Sequence, residues 1–352
     1  MSTDDFPIIS QEVLPDGHHL TLFESTHSGL RQICPLPFSS LDHFVKSADV
    51  WIAGISGMDI PRVICWNVMT RDDFVLPLPS QCFPDAIACF GQVLYVGGRV
   101  KEDSPILGLY DLTQSPQWTY IQLPSEVDRW GKSIDALLID GLRLIAIDDL
   151  VTPCWVLVFD ISEPLQPKIS TVERFEEHGT YEHVSGASAG HQWIAVLTKT
   201  MSGWSGLAQH ISIMDKSSLK EQAIISAHKW YSKEDPYNWS DLVFWDDLLL
   251  VAAGKDGIGI LDLSKKDNST VNSETCKKDF YCISLPSFHD GKIVRIIPAA
   301  VADYLGVVLQ QENNLQSLLL HRQDLLDFQN TTRRVPFESI DREPGIPRPT
   351  QN

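Results

Sequence analysis

The chain has 352 residues, 43% of them hydrophobic and 21% charged, with a formal net charge of -18. That composition supplies a sizeable core and excludes disorder as the main theme. The acidic balance excludes direct nucleic-acid binding, which needs clustered Lys and Arg against phosphates; it suits a soluble acidic surface.

The N-terminus, Met1 to Phe6, carries Asp4 and Asp5 where a signal peptide has a basic region followed by an apolar one. The most apolar long window, Ile293 to Leu309, is interrupted by Arg295, Pro298 and Asp303, so no membrane span is expected. Seven scattered cysteines (34, 65, 82, 89, 154, 276, 282) include no CxxC pair, which fits reduced and mostly buried thiols. A cytoplasmic location is the expectation.

Along the chain the apolar runs are short, rich in Val, Ile, Leu, Tyr and Trp, and bounded by Gly, Pro, Asp and Ser, the punctuation of strands. Three features recur in the same order. Tight-turn signals separate pairs of short apolar strands at Gly91-Gln92, Asp140-Gly141, Gly190-His191 and Asp246-Asp247. An apolar strand then closes on Asp, at Asp111, Asp160, Asp215 and Asp262, with Asn67 as an earlier variant. Leu-Pro ends an outer strand at Leu36-Pro37, Leu78-Pro79, Leu123-Pro124 and Leu285-Pro286, where a residue without an N–H is tolerated.

A period of 40 to 50 residues holding four short strands is that of a β-propeller blade. The pattern predicts an all-β fold, a propeller of seven blades of four antiparallel strands. Blade cores fall near 41–79, 84–124, 133–174, 183–227, 240–286 and 292–338. The segment 7–37 supplies three strands of a first blade, and a late strand near Arg333 to Phe337 would complete it and close the ring. Without that crossover, six blades and an appendage is the alternative. One domain over 1–341 and a flexible tail over 342–352 follow. Residues 264–278, rich in Lys, Asp, Asn, Ser and Thr, read as an exposed insertion loop.

Two stretches resemble known propeller repeats, each over one blade. Val93-Leu-Tyr-Val-Gly-Gly98 with Leu109-Tyr-Asp111 and Trp118 resembles a kelch repeat. Val156-Leu-Val-Phe-Asp-Ile-Ser-Glu-Pro-Leu-Gln-Pro167 resembles an LVIVD repeat. These resemblances imply the fold, no catalytic residue, and for the kelch-like blade an association with protein binding.

Chemistry-bearing motifs are sparse. Gly254-Lys-Asp-Gly257-Ile-Gly259 runs into a strand rather than a helix, so it reads as a hairpin turn and not a phosphate loop. His178, Glu182 and His183 lack the spacing of a metal site. No GxSxG elbow occurs. No metal and no cofactor are expected.

The blade-to-blade loops place Arg129, Trp130 and Lys132, then Tyr181, Glu182 and His183, then Trp239, at equivalent points around one face, and the last loop adds Trp230, Tyr231 and Tyr237; the alternative is that such rings pack between blades as structural plugs. Aromatic anchors among polar groups suit a recognition surface. The leading expectation is therefore a non-enzymatic scaffold that presents this face to a protein partner. Two alternatives stay open: a binder of a small molecule or glycan, and a hydrolase or lyase working from carboxylates near the channel. Asp135, Glu182 and Asp241, at the starts of inner strands, are the candidate acids.

Overall fold

The computed structural model describes residues 7–14, 17–26, 29–36, 43–46, 51–56, 62–67, 70, 72–100, 104–130, 132–149, 155–174, 182–202, 206–228, 239–264, 266, 270–283, 292–298, 304–311, 314–321 and 325. Strands dominate, and they form antiparallel sheets in strict chain order.

The first sheet holds β1 (Pro7–Leu14), β2 (Gly17–Thr26) and β3 (Gly29–Leu36). The second holds β4 (His43–Lys46), β5 (Trp51–Ser56), β6 (Arg62–Asn67) and β7 (Asp73–Val75). The third holds β8 (Cys82–Phe90), β9 (Val93–Val100), β10 (Ser104–Asp111) and β11 (Thr119–Tyr120). A short helix, α1 (Ser125–Trp130), leads into the fourth sheet. That sheet comprises β12 (Ser133–Asp140), β13 (Arg143–Asp149), β14 (Trp155–Asp160) and β15 (Lys168–Arg174).

The fifth sheet holds β16 (Glu182–Ala189), β17 (Trp193–Ser202), β18 (Gly206–Asp215) and β19 (Glu221–His228). The sixth holds β20 (Asp241–Trp245), β21 (Leu248–Ala252), β22 (Ile258–Asp262) and, after helix α2 (Ser273–Asp279), β23 (Tyr281–Ile283). The last holds β24 (Lys292–Pro298), β25 (Tyr304–Gln311) and β26 (Asn314–His321). Five four-stranded antiparallel sheets make this an all-β, propeller-like arrangement. No helix is long and apolar enough to cross a membrane among the described residues.

The core lies in the seams between successive sheets. Between the third and fourth, Ala86, Tyr95 and Leu109 meet Ile134, Leu144, Trp155 and Phe159. Ile145, Ile147 and Val158 of the fourth meet Ile194, Val196 and Met214 of the fifth. The third to sixth sheets thus bury both faces, which is why β9, β14 and β21 read as unbroken apolar runs rather than alternating ones.

The recurring sequence features have physical explanations. Gly91, Gly141 and Asp246 open the turns between first and second strands with φ between 53° and 57°, the region that a β-branched residue avoids. The strand-closing Asp makes a side-chain turn. Asp111 accepts from the Thr113 N–H at 2.9 Å, Asp160 from Ser162 at 2.8 Å, Asp215 from Ser218 at 2.7 Å and Asp262 from Ser264 at 2.9 Å. Asn67 does the same for Thr70 at 3.0 Å. The next residue's N–H then ties to the hairpin turn: Leu112 to Gln92, Ile161 to Leu142 and Leu263 to Asp247.

One expectation is corrected. The segment 264–278 is not wholly an exposed loop, since α2 occupies 273–279 and buries Cys276. Asn272 and Thr275 form a reciprocal cap at its start, and Ser273 Oγ accepts the Ile224 N–H of β19 at 2.9 Å. The helix therefore lies against the fifth sheet's outer strand, which protects that edge. The strand expected at Arg333 to Phe337 and the tail 342–352 lie outside the described residues.

Candidate functional site

Four inner strands depart from their ladders near their starts. Register shifts fall between Pro84 and Ala86 in β8, Ile134 and Ala136 in β12, Val184 and Gly186 in β16, and Ile293 and Arg295 in β24. The extra residues are Asp85, Asp135, Ser185 and Val294. A bulge releases one residue from pairing and re-aims its side chain, a device common beside functional sites.

Asp85 uses that freedom to cross the seam: its Oδ2 accepts the Ser133 hydroxyl at 2.7 Å. Ser133 opens β12, directly after α1, whose buried Val127 anchors the helix in the same seam. The Ser133 and Lys132 N–H groups both converge on Oδ1 of Asp148, each at 3.1 Å. Asp148 is fully buried near the end of β13, and its other oxygen, Oδ2, has no hydrogen-bond partner. Burial pushes its carboxyl up to about 7, against the pull of the two N–H groups, and the nearby charge of Asp135 raises it further. A carboxyl that exchanges its proton near neutrality in a water-poor seam can act as a general base or acid.

Asp148 escaped the sequence reading because it ends an apolar strand, Leu144-Ile-Ala-Ile-Asp148, and resembles a polar strand terminus. A signal was available: Gly98 and Thr198 occupy the equivalent register in the neighbouring sheets, opposite the residues just before their bulges. An acid at a place otherwise given to glycine or threonine is unusual.

Of the expected binding face, Lys132 is half-buried and its N–H serves Asp148. Arg129 and Trp130 end α1, and Glu182 and His183 open β16; their side chains are not described. Tyr181, Trp230, Tyr231 and Tyr237 lie outside the described residues. Trp239 is in the core, 2% exposed, with its ring 5.6 Å from that of Phe280. Its N–H donates to Gln209 Oε1 at 2.9 Å and its carbonyl accepts from Gln209 Nε2 at 2.7 Å. A large ring at the entry of β20 fills the seam rather than a surface.

Among the candidate acids, Asp135 is a half-buried bulge residue beside Asp148. Asp241 is a backbone staple: it accepts the Leu242 N–H at 2.9 Å and the Ile296 N–H of the next sheet at 3.0 Å. No group of three or more potential metal ligands comes together among the described residues. Burial pushes the thiols of Cys65, Cys82 and Cys282 up to about 12, so they are poor nucleophiles.

No family model matches the chain, and no curated protein matches it. Neither a kelch nor an LVIVD family is therefore shown. Among solved structures, the chain is similar to a Bacteroides uniformis protein described as a "putative 6-phosphogluconolactonase", with 10% identity and a TM-score of 0.47. That likeness covers 76% of this chain and 77% of the other. It says nothing of what this chain acts on.

The expected non-enzymatic interaction module is nonetheless withdrawn. That expectation leaned on an association of such folds with binding scaffolds, and no family model or curated protein supports it. The aromatic arc offered for the partner also loses Trp239 to the core.

Proposed function

We propose that this protein is a hydrolase whose general base is Asp148, working in the seam between the third and fourth sheets. The observation that carries the reading is the Asp148 carboxyl itself, fully buried with one oxygen unpartnered. A purely structural acid would bond through both oxygens or face water, because an orphaned buried polar group costs about 1–3 kcal/mol. Burial, helped by the nearby charge of Asp135, keeps the Asp148 proton exchangeable near neutral pH, while Asp85 and Ser133 hold the entry of β12 in place.

The step is ordinary acyl hydrolysis. Ionised Asp148 takes a proton from water as the water oxygen bonds to the acyl carbon. The acyl C–O bond breaks, and the proton passes to the leaving oxygen, giving an acid and an alcohol. The seven sheets, in this reading, are seven blades of one ring, closed where β1 lies against β26.

The test is acid release from a panel of sugar lactones and simple esters, followed with a pH indicator. The wild type should turn over at least one member, with a rate that climbs as pH rises through about 7, where Asp148 ionises. Asp148→Asn should lose about 100-fold or more. No turnover of any member, or full activity in the Asn variant, sinks the reading.

A further inference from the structure

One cross-strand row of the fourth sheet carries more than Asp148. Ile134 pairs with Asp148, Asp148 with Trp155, and Trp155 with Arg174, across β12 to β15. Residues directly paired in a sheet project from the same face. Here that face is toward the third sheet, since Ile134 and Trp155 join the core shared with it.

Trp155 is 8% exposed, and its indole Nε1–H has no hydrogen-bond partner. The exposed Arg174 lies over its ring, the guanidinium carbon 4.9 Å from the centre. Arg174 makes no ion pair among the described residues. The row therefore holds a buried donor without an acceptor, a buried carboxyl oxygen without a partner, and a cation stacked beside them. Two orphaned polar atoms on neighbouring positions of one row are rare in a folded chain. Indole N–H only donates and guanidinium only donates, so what meets them must accept; the Asp148 oxygen can take a hydroxyl.

We propose that this row is a subsite for a small hydroxy acid. Its carboxylate accepts from Trp155 Nε1–H and is neutralised by Arg174, and an adjacent hydroxyl bonds to the free oxygen of Asp148. A hydroxy acid is also what hydrolysis of a lactone releases, so the subsite gives the reaction a substrate class; it rests on the hydrolase reading for the role of Asp148 alone. Trp155 and Arg174 are binding and positioning residues in this scheme and transfer no proton.

The experiment is calorimetric binding of gluconate at pH 7, with sorbitol as the polyol that lacks the carboxylate. Wild type should bind gluconate and not sorbitol. Trp155→Phe removes the N–H but keeps a ring, and Arg174→Gln changes an exposed side chain; each should weaken gluconate by about 10-fold or more, the scale of a charge-assisted hydrogen bond. Circular dichroism confirms that both variants fold. Unchanged affinity in both, or no binding by the folded wild type, overturns the subsite and leaves water as the partner of these groups. Lactone turnover with KM unchanged in both variants also overturns it while sparing Asp148. Gluconate binding that both variants weaken, without turnover of any lactone or ester, keeps the subsite and removes the hydrolase.

Discussion

Strands β12 and β13 carry charge at both ends, and the two ends behave oppositely. At the hairpin end, Asp140 pairs with Arg143, and with Lys216 of the fifth sheet at 2.8 Å. Lys216 also donates to the Gly190 carbonyl at 2.8 Å, and Arg143 to the Lys216 carbonyl at 3.2 Å. Burial pushes the Asp140 carboxyl up, but the hydrogen bonds and charges of Lys216 and Arg143 outweigh it and hold the group below its usual range. At the other end, Asp148 has two N–H donors, no ion-pair partner among the described residues and one bare oxygen, and burial wins. The same residue type in the same two strands is a staple in one place and, in the proposed reading, a reactive group in the other. Partner supply, not burial alone, separates the two roles.

The largest test of that contrast is stability against pH. Native Asp148 holds its proton up to about pH 7, whereas unfolded it releases it near 3.8. The native state binds more protons in that window, so this group's contribution is full below pH 3.8 and is lost as pH rises toward 7. Asp148→Asn should therefore be more stable than wild type at pH 8, by up to about 4 kcal/mol, and nearly equal at pH 4. Urea melts at both pH values check it; equal midpoints at pH 8 would place Asp148 among the satisfied structural groups.

Lys216→Met should act the other way, leaving Asp140 with Arg143 alone. Both ion-pair partners are partly exposed to water, so a loss of about 1–3 kcal/mol at pH 7 is expected, shrinking as pH falls through the lowered Asp140 range. A loss independent of pH would mean that packing, not charge, joins those sheets. The smallest effect is expected at Thr198, which sits one sheet on from Asp148 with a buried hydroxyl lacking a partner. Thr198→Val should be neutral or stabilising by about 1 kcal/mol in thermal melts, with lactone turnover intact. A clear loss of turnover would extend the site into the next seam.

How much of this was legible in the sequence follows from the range of the forces involved. The strand-closing Asp motifs and the Gly91, Gly141 and Asp246 turns are local, set by residues two or three apart, and the strand layout read from them agrees with the sheets. The sequence leaves the place of Trp239 open, because an aromatic in a polar stretch looks the same whether it faces water or a seam. Its core position depends on Gln209, 30 residues earlier. Helix α2 is short, and its docking depends on Ile224, 49 residues away. Asp148 depends on amides across a hairpin and on the charge of Asp135, neither visible in a window of ten residues.

The clasp between Gln209 and Trp239 has a consequence for how this chain could change. A side-chain amide there reproduces both bonds of a peptide pair, so the start of β20 is gripped from the preceding sheet. The register of the sixth sheet is then indifferent to how many residues lie between His228 and Trp239. That makes this connection a place where segments could be inserted, lengthened or exchanged by evolution or by a designer while β20 keeps its alignment.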